Sequence, residues 1–173
     1  FGGGVNFGFP IGETQRIDFG VSAEHTKLTS GYAAAQEIAR FIDDNGQKAF
    51  FLKGNLSWTR STLNRGVFAD RGSSQSMALE TTVPGSDLEF YKLTYSGERY
   101  FPVTGTWTLK LRTELGFGGA YGDTSGLPFY EHFYAGGFGS IRGFENSTLG
   151  PRSTNPLDQN GQPVFYRPVS YTH

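Results

Sequence analysis

The chain has 173 residues, a formal net charge of −1 and no cysteine, which excludes a disulfide framework and thiol chemistry and gives no electrostatic case for nucleic acid. A mean hydropathy of −0.39 suits a polar protein, and no run of about 18 apolar residues exists to form a transmembrane helix. Membrane strands stay open, because they need an apolar residue only at every second position. Aromatics make up 16% of the chain and glycine 25 residues, the latter about twice its usual share. Both lean toward a barrel wall.

Phe1-Gly2-Gly3-Gly4-Val5 already reads as strand, with no Met start, basic n-region or cleavage site. A mature or truncated segment of a longer chain is therefore expected. Period-2 alternation then recurs six times along the chain. Val5, Phe7, Phe9 and Ile11 alternate with Gly4, Asn6 and Gly8. After the turn Gly12-Glu13-Thr14 come Ile17, Phe19, Val21 and Ala23, against Arg16, Asp18, Ser22 and Glu24. The segment Ala33–Ile42, stopped by Asp43-Asp44-Asn45-Gly46, predicts a short helix acting as a solvated cap within a loop at 28–48.

The third strand sets Phe50, Leu52, Leu56 and Trp58 against Lys53, Asn55, Ser57 and Thr59. The fourth sets Met77, Leu79 and Val83 against Ser76 and Glu80, and the fifth Tyr91, Leu93 and Tyr95 against Lys92, Thr94, Ser96 and Glu98. In the sixth, Trp107, Leu109, Leu111, Leu115 and Phe117 oppose Lys110, Arg112 and Glu114.

Alternation alone also fits a soluble antiparallel sheet. Three features favour the membrane. The segments run about 10 to 15 residues, beyond the usual 5 to 6 of sandwich strands. Compact turns at 12–15, 64–72 and 102–106 alternate with a long loop at 28–48, the turn Pro84-Gly85-Ser86-Asp87 and a tail from 122, as short periplasmic turns alternate with extracellular loops. Phe9, Trp58, Tyr100, Phe101 and Trp107 collect at the short-turn end, as an interfacial girdle does. Arg99 has lipid-side parity but sits beside a turn, where its stem can snorkel.

The fold expected is thus all-β, a transmembrane antiparallel up-and-down barrel, with six strands in three hairpins over residues 1–121 and a long extracellular loop over 122–173. Charges are excluded from the lipid face, where a cation at the midplane costs about 2 to 4 kcal/mol, so the charged face lines a lumen. Six strands cannot close a barrel, and open edges in lipid would leave backbone groups unpaired at several kcal/mol each. Further strands are expected from a longer chain.

The tail contains Leu127-Pro128-Phe129-Tyr130-Glu131-His132-Phe133-Tyr134-Ala135-Gly136-Gly137-Phe138-Gly139-Ser140-Ile141-Arg142-Gly143-Phe144-Glu145, followed by Thr148-Leu149-Gly150-Pro151-Arg152. This resembles the hallmark segment of the BamA family, core subunits of the outer-membrane β-barrel assembly machinery. The wider superfamily, which includes two-partner-secretion transporters, shares the shorter (Val/Ile)-Arg-Gly-(Phe/Tyr) motif. Leu63-Asn64-Arg65-Gly66-Val67-Phe68 with Asp70-Arg71-Gly72, and Val83-Pro84-Gly85-Ser86-Asp87 with Phe90-Tyr91-Lys92, extend the resemblance upstream.

The resemblance implies the sixth to eleventh strands of a barrel of about sixteen, within the range such barrels show, with the tail as the sixth extracellular loop folded into the lumen. It implies site residues Ile141, Arg142, Gly143, Phe144, Gly136 and Gly137, the arginine pairing with carboxylates on later strands beyond His173. A guanidinium offers a fixed fork of donors suited to that task. The three glycines would allow tight turns, and Phe144 would pack beside Arg142. The implied function is a non-enzymatic insertase for outer-membrane proteins in the outer membrane of a Gram-negative bacterium. Its implied partners are unfolded outer-membrane clients, Bam lipoproteins held through POTRA domains absent from this sequence, the lipid bilayer and lipopolysaccharide.

A secretion pore of the same superfamily is the alternative; it typically lacks the Phe129-Tyr130-Glu131 lead-in. An outer-membrane hydrolase is disfavoured, since His25, His132 and His173 form no Ser-His-Asp grouping by any spacing. No cofactor and no metal is expected. Asp158-Gln159-Asn160-Gly161 faintly resembles a calcium loop, but Val169 stands where a bidentate Glu is required. Asp43-Asp44-Asn45-Gly46 is likewise read as a turn.

Overall fold

The computed structural model describes residues 2–27 and 36–151. Six strands pair in chain order: β1 (Gly2–Gly12), β2 (Gln15–Lys27), β3 (Lys48–Ser61), β4 (Gly72–Thr82), β5 (Phe90–Pro102) and β6 (Thr108–Ala120). Every neighbouring pair is antiparallel. The shortest strands have 11 residues and the longest 14. At about 3.4 Å per residue each crosses an apolar band of about 25 Å even at a tilt of about 45°.

Because successive side chains point to opposite faces, the register turns the alternation into continuous rows. On one face Phe7, Phe19, Leu56, Leu79, Leu93 and Phe117 lie side by side across all six strands. The next row toward the short turns is Phe9, Ile17, Trp58, Met77, Tyr95 and Leu115. Neither row carries a charge, and in the first Phe7, Phe19, Leu56, Leu79 and Phe117 are exposed, with Leu93 half-buried. On the opposite face the row between Phe7 and Val5 runs Asn6, Gly20, Asn55, Glu80, Lys92 and Gly118. That wall is polar.

The aromatic girdle needs one correction. Tyr100 pairs with Lys110, donates its hydroxyl to Glu98 at 3.0 Å and lies under the Lys110 ammonium, so it belongs to the inner face. Its parity with Glu98 put it there from the start. Trp58 donates its indole N–H to Gln15 at 3.2 Å, and the Arg99 guanidinium lies over the ring of Phe101 beside the turn.

At the loop end the inner wall becomes apolar. Ala49 and Phe51 of β3, Phe90 of β5, Leu88 of the preceding turn and Phe41 of the helix form a buried cluster, joined by Leu127 and Phe129 from the tail. The helix α1 (Gln36–Asn45) buries Ile38, Phe41 and Ile42, and the ring of Phe41 meets that of Phe129 edge-on at 5.8 Å. It is therefore packed rather than a purely solvated cap, because its apolar residues recur on one face. Gly46, at φ +83° and with its N–H on the Ile42 carbonyl, ends it. Asp43 and Asp44 thus belong to the helix end; Ala33–Ala35 lie outside the described residues.

The β4–β5 turn also extends the sheet. Asp87 and Ser86 accept hydrogen bonds from the backbone N–H groups of Phe50 and Leu52, where β3 outruns β4.

Candidate functional site: the loop on the inner wall

Proline at position 128, fully buried, opens a single turn of 3-10 helix, Phe129–Glu131, closed by the Glu131 N–H on the Pro128 carbonyl. The turn sends Phe129 into the apolar cluster and the Glu131 carboxylate down onto the wall. One carboxylate oxygen lies 3.3 Å from the Lys53 ammonium and the other 3.0 Å from that of Lys92. Lys53 also reaches Glu24 at 3.2 Å and Glu80 at 3.0 Å. β2, β3, β4 and β5 each contribute one charge to this group.

Packing restricts those charges. Lys53 lies over the rings of Phe51 and Phe90, and Lys92 over the ring of Phe133. Phe133 occupies the space that Gly116 leaves on β6, where a Cβ would fall 2.5 Å from the ring. Side-chain exposure is 12% at Lys53 and 15% at Glu131, so water screens that pair poorly.

Beyond Phe133 the loop forms a narrow neck. Ala135 and Leu149 exchange backbone hydrogen bonds of 2.7 and 2.9 Å, and the Gly137 N–H reaches the Phe144 carbonyl. Gly136, Gly137 and Gly143 have φ values of +117°, +94° and +93°, a region that side chains disfavour. A Cβ at Gly137 would also collide with Asn146.

Ile141, Arg142, Gly143 and Phe144 are exposed at the tip. The Arg142 guanidinium stacks over Phe138, 4.6 Å from the ring centre; Phe144, expected in that role, is not the ring beneath it. Arg152, the tract Asp158–Gly161, Val169 and His173 are outside the described residues.

Wall contacts of the described loop thus have the opposite polarity from the motif arginine: a loop carboxylate meets wall lysines. Sequence reading had placed Lys53, Lys92, Glu24 and Glu80 on the inner face and Glu131 in the hallmark segment, yet did not join them. Parity was the available signal; the register was missing.

Burial, together with the nearby Glu131 charge, pushes the Tyr130 phenol up to about 12. Burial also lowers the His132 pKa, with a hydrogen bond to the Leu127 backbone acting the other way. The folded loop therefore favours neutral imidazole, whereas the unfolded chain protonates near pH 6.5. His132's contribution to stability is complete above about pH 6.5 and falls as the unfolded state takes up protons below it. Cleavage of the loop by a broad-pH protease, normalised to an unfolded peptide, should rise from pH 8 to pH 5. His132→Gln should flatten the rise; an equal rise in the variant would show that other groups cause it.

Residues 1–167 match the model of the Omp85 superfamily domain. The chain is 35% identical over 173 residues to "Outer membrane protein assembly factor BamA" of Neisseria meningitidis serogroup B, covering 95% of this chain and 21% of the relative. It is 24% identical over 161 residues to the protein of the same name in Nitratidesulfovibrio vulgaris, covering 91% and 20%. Its fold matches the crystal structure of BamA from Haemophilus ducreyi lacking POTRA domains 1-3, with a TM-score of 0.83 at 24% identity over 94% of this chain and 33% of that one. The chain spans about a fifth of the length of these curated relatives.

Proposed function

This chain belongs to the Omp85 superfamily, and from that premise we propose that it supplies a central stretch of wall and the lumen loop of an insertase, which folds β-barrel proteins into the outer membrane without breaking a bond. The observation that carries this reading is the lead-in segment. Phe129 packs in the cluster under α1, and Glu131 bridges two wall lysines, so two of the three residues that a secretion pore typically lacks are built into the wall contact here. The relatives named as assembly factors support the same reading. Clients are unfolded outer-membrane proteins; lipoproteins held through POTRA domains, the bilayer and lipopolysaccharide are the further partners.

Arg142→Ala in the full-length protein tests the proposal. Cells depending on the variant should accumulate unfolded outer-membrane proteins, and the loop should become protease-sensitive. Normal growth with an equally protected loop would overturn it. Export of an intact soluble passenger, with outer-membrane protein levels unaffected, would instead indicate a secretion pore.

A further inference from the structure

We propose that Glu131 is a positioning residue: its charge, held between Lys53 and Lys92, determines where the arginine-bearing tip of the loop sits. The role deepens the insertase reading and rests on it only for its consequence, not for its geometry. The two carboxylate oxygens are divided between two ammoniums on β3 and β5, with β4 between them. A monodentate contact could swing about one lysine, whereas this bridge defines both position and orientation. Glu80 of β4 stands opposite Lys92 in the register and contacts Lys53 at 3.0 Å, which holds the Lys53 ammonium beside the bridge.

Orientation at Glu131 passes on to the tip because little between them is free to turn. Phe129 on one side is packed against Phe41. On the other side Phe133 sits in the space at Gly116, and two residues later the Ala135–Leu149 pair closes the neck. Arg142 itself stacks on Phe138 within the same closed loop. The tip thus moves with the neck, and the neck with the Glu131 bridge.

The chain has no cysteine, so paired spin labels at Ser140→Cys on the tip and Ser57→Cys on the inner wall report on their separation cleanly, once any cysteine elsewhere in the full-length protein is removed. In the otherwise unchanged protein a single narrow distance distribution is expected. Glu131→Gln keeps the shape, removes the charge and should broaden it at least twofold; Glu131→Lys should do so too. Lys92→Met leaves Glu131 with the Lys53 ammonium alone and should broaden the distribution to an intermediate extent, because one contact can swing where two cannot. An unchanged width in Glu131→Gln and Glu131→Lys would overturn the proposal, as would an unchanged width in Lys92→Met, since packing rather than a charge bridge would then hold the loop. Glu131 lies outside the strands, so its single changes should leave the barrel folded, and heat-modifiable migration on gels checks this for every variant. Broadened distances with normal assembly of outer-membrane proteins would uphold the positioning role and count against the insertase reading, which keeps the two failures apart.

Discussion

Replacing Lys53 with methionine should destabilise the barrel by about 1–3 kcal/mol, below the about 3–5 kcal/mol of a fully buried pair, because Glu24 and Glu80 are a third or more exposed. The Lys53 ammonium lies within 3.3 Å of Glu24, Glu80 and Glu131, and its loss leaves three carboxylates facing one another with no cation at their centre. Glu131 keeps its contact with Lys92, whereas Glu24 and Glu80 lose the ammonium that held them together. The temperature at which the full-length protein loses its compact, heat-modifiable band should fall well below that of the parent. Adding Glu24→Gln and Glu80→Gln to Lys53→Met should recover much of the loss, because the one carboxylate left, Glu131, keeps its pair with Lys92. A melting temperature unchanged in Lys53→Met would mean that water already screens the group.

Leu56→Arg should cost about 2–4 kcal/mol, the range for a cation at the bilayer midplane on the lipid face. Leu56 stands in the uncharged row, between Phe19 and Leu79, and is half exposed to the surroundings. Its neighbour Ser57 pairs with Asp18 and Ala78 on the polar wall. Ser57→Arg, one residue along, should therefore cost far less. Folding yield of the full-length protein into phospholipid vesicles compares the two variants directly. Equal yields would remove the assignment of the Leu56 face to lipid.

That contrast shows why so much of the fold was legible in one dimension. A strand's side-chain period is two whatever it pairs with, so Phe7, Phe19, Leu56, Leu79, Leu93 and Phe117 declared their face before any partner was known. Strand order followed as well, since consecutive antiparallel strands joined by short turns fall beside each other. Glycines 136, 137 and 143 announced turns through their freedom at positive φ.

The candidate site was harder because its contacts join residues that no period relates. Tyr100 was drawn toward the girdle by composition, while its pairing with Lys110 sets it inside. Phe51 and Phe90 break the polar pattern of the inner wall, and their burial depends on Phe129 arriving from the tail and Phe41 from α1. Phe144 adjoins the motif arginine closely in sequence, but the turn at the tip brings Phe138 beneath it.

By itself, then, the sequence determined which face of each strand meets lipid, because that preference is local and repeats every two residues. Only the tertiary structure decided that Glu131 joins Lys53 and Lys92. That contact needs the register of β3, β4 and β5 and the path of a loop across them, and both arise from pairings between distant parts of the chain.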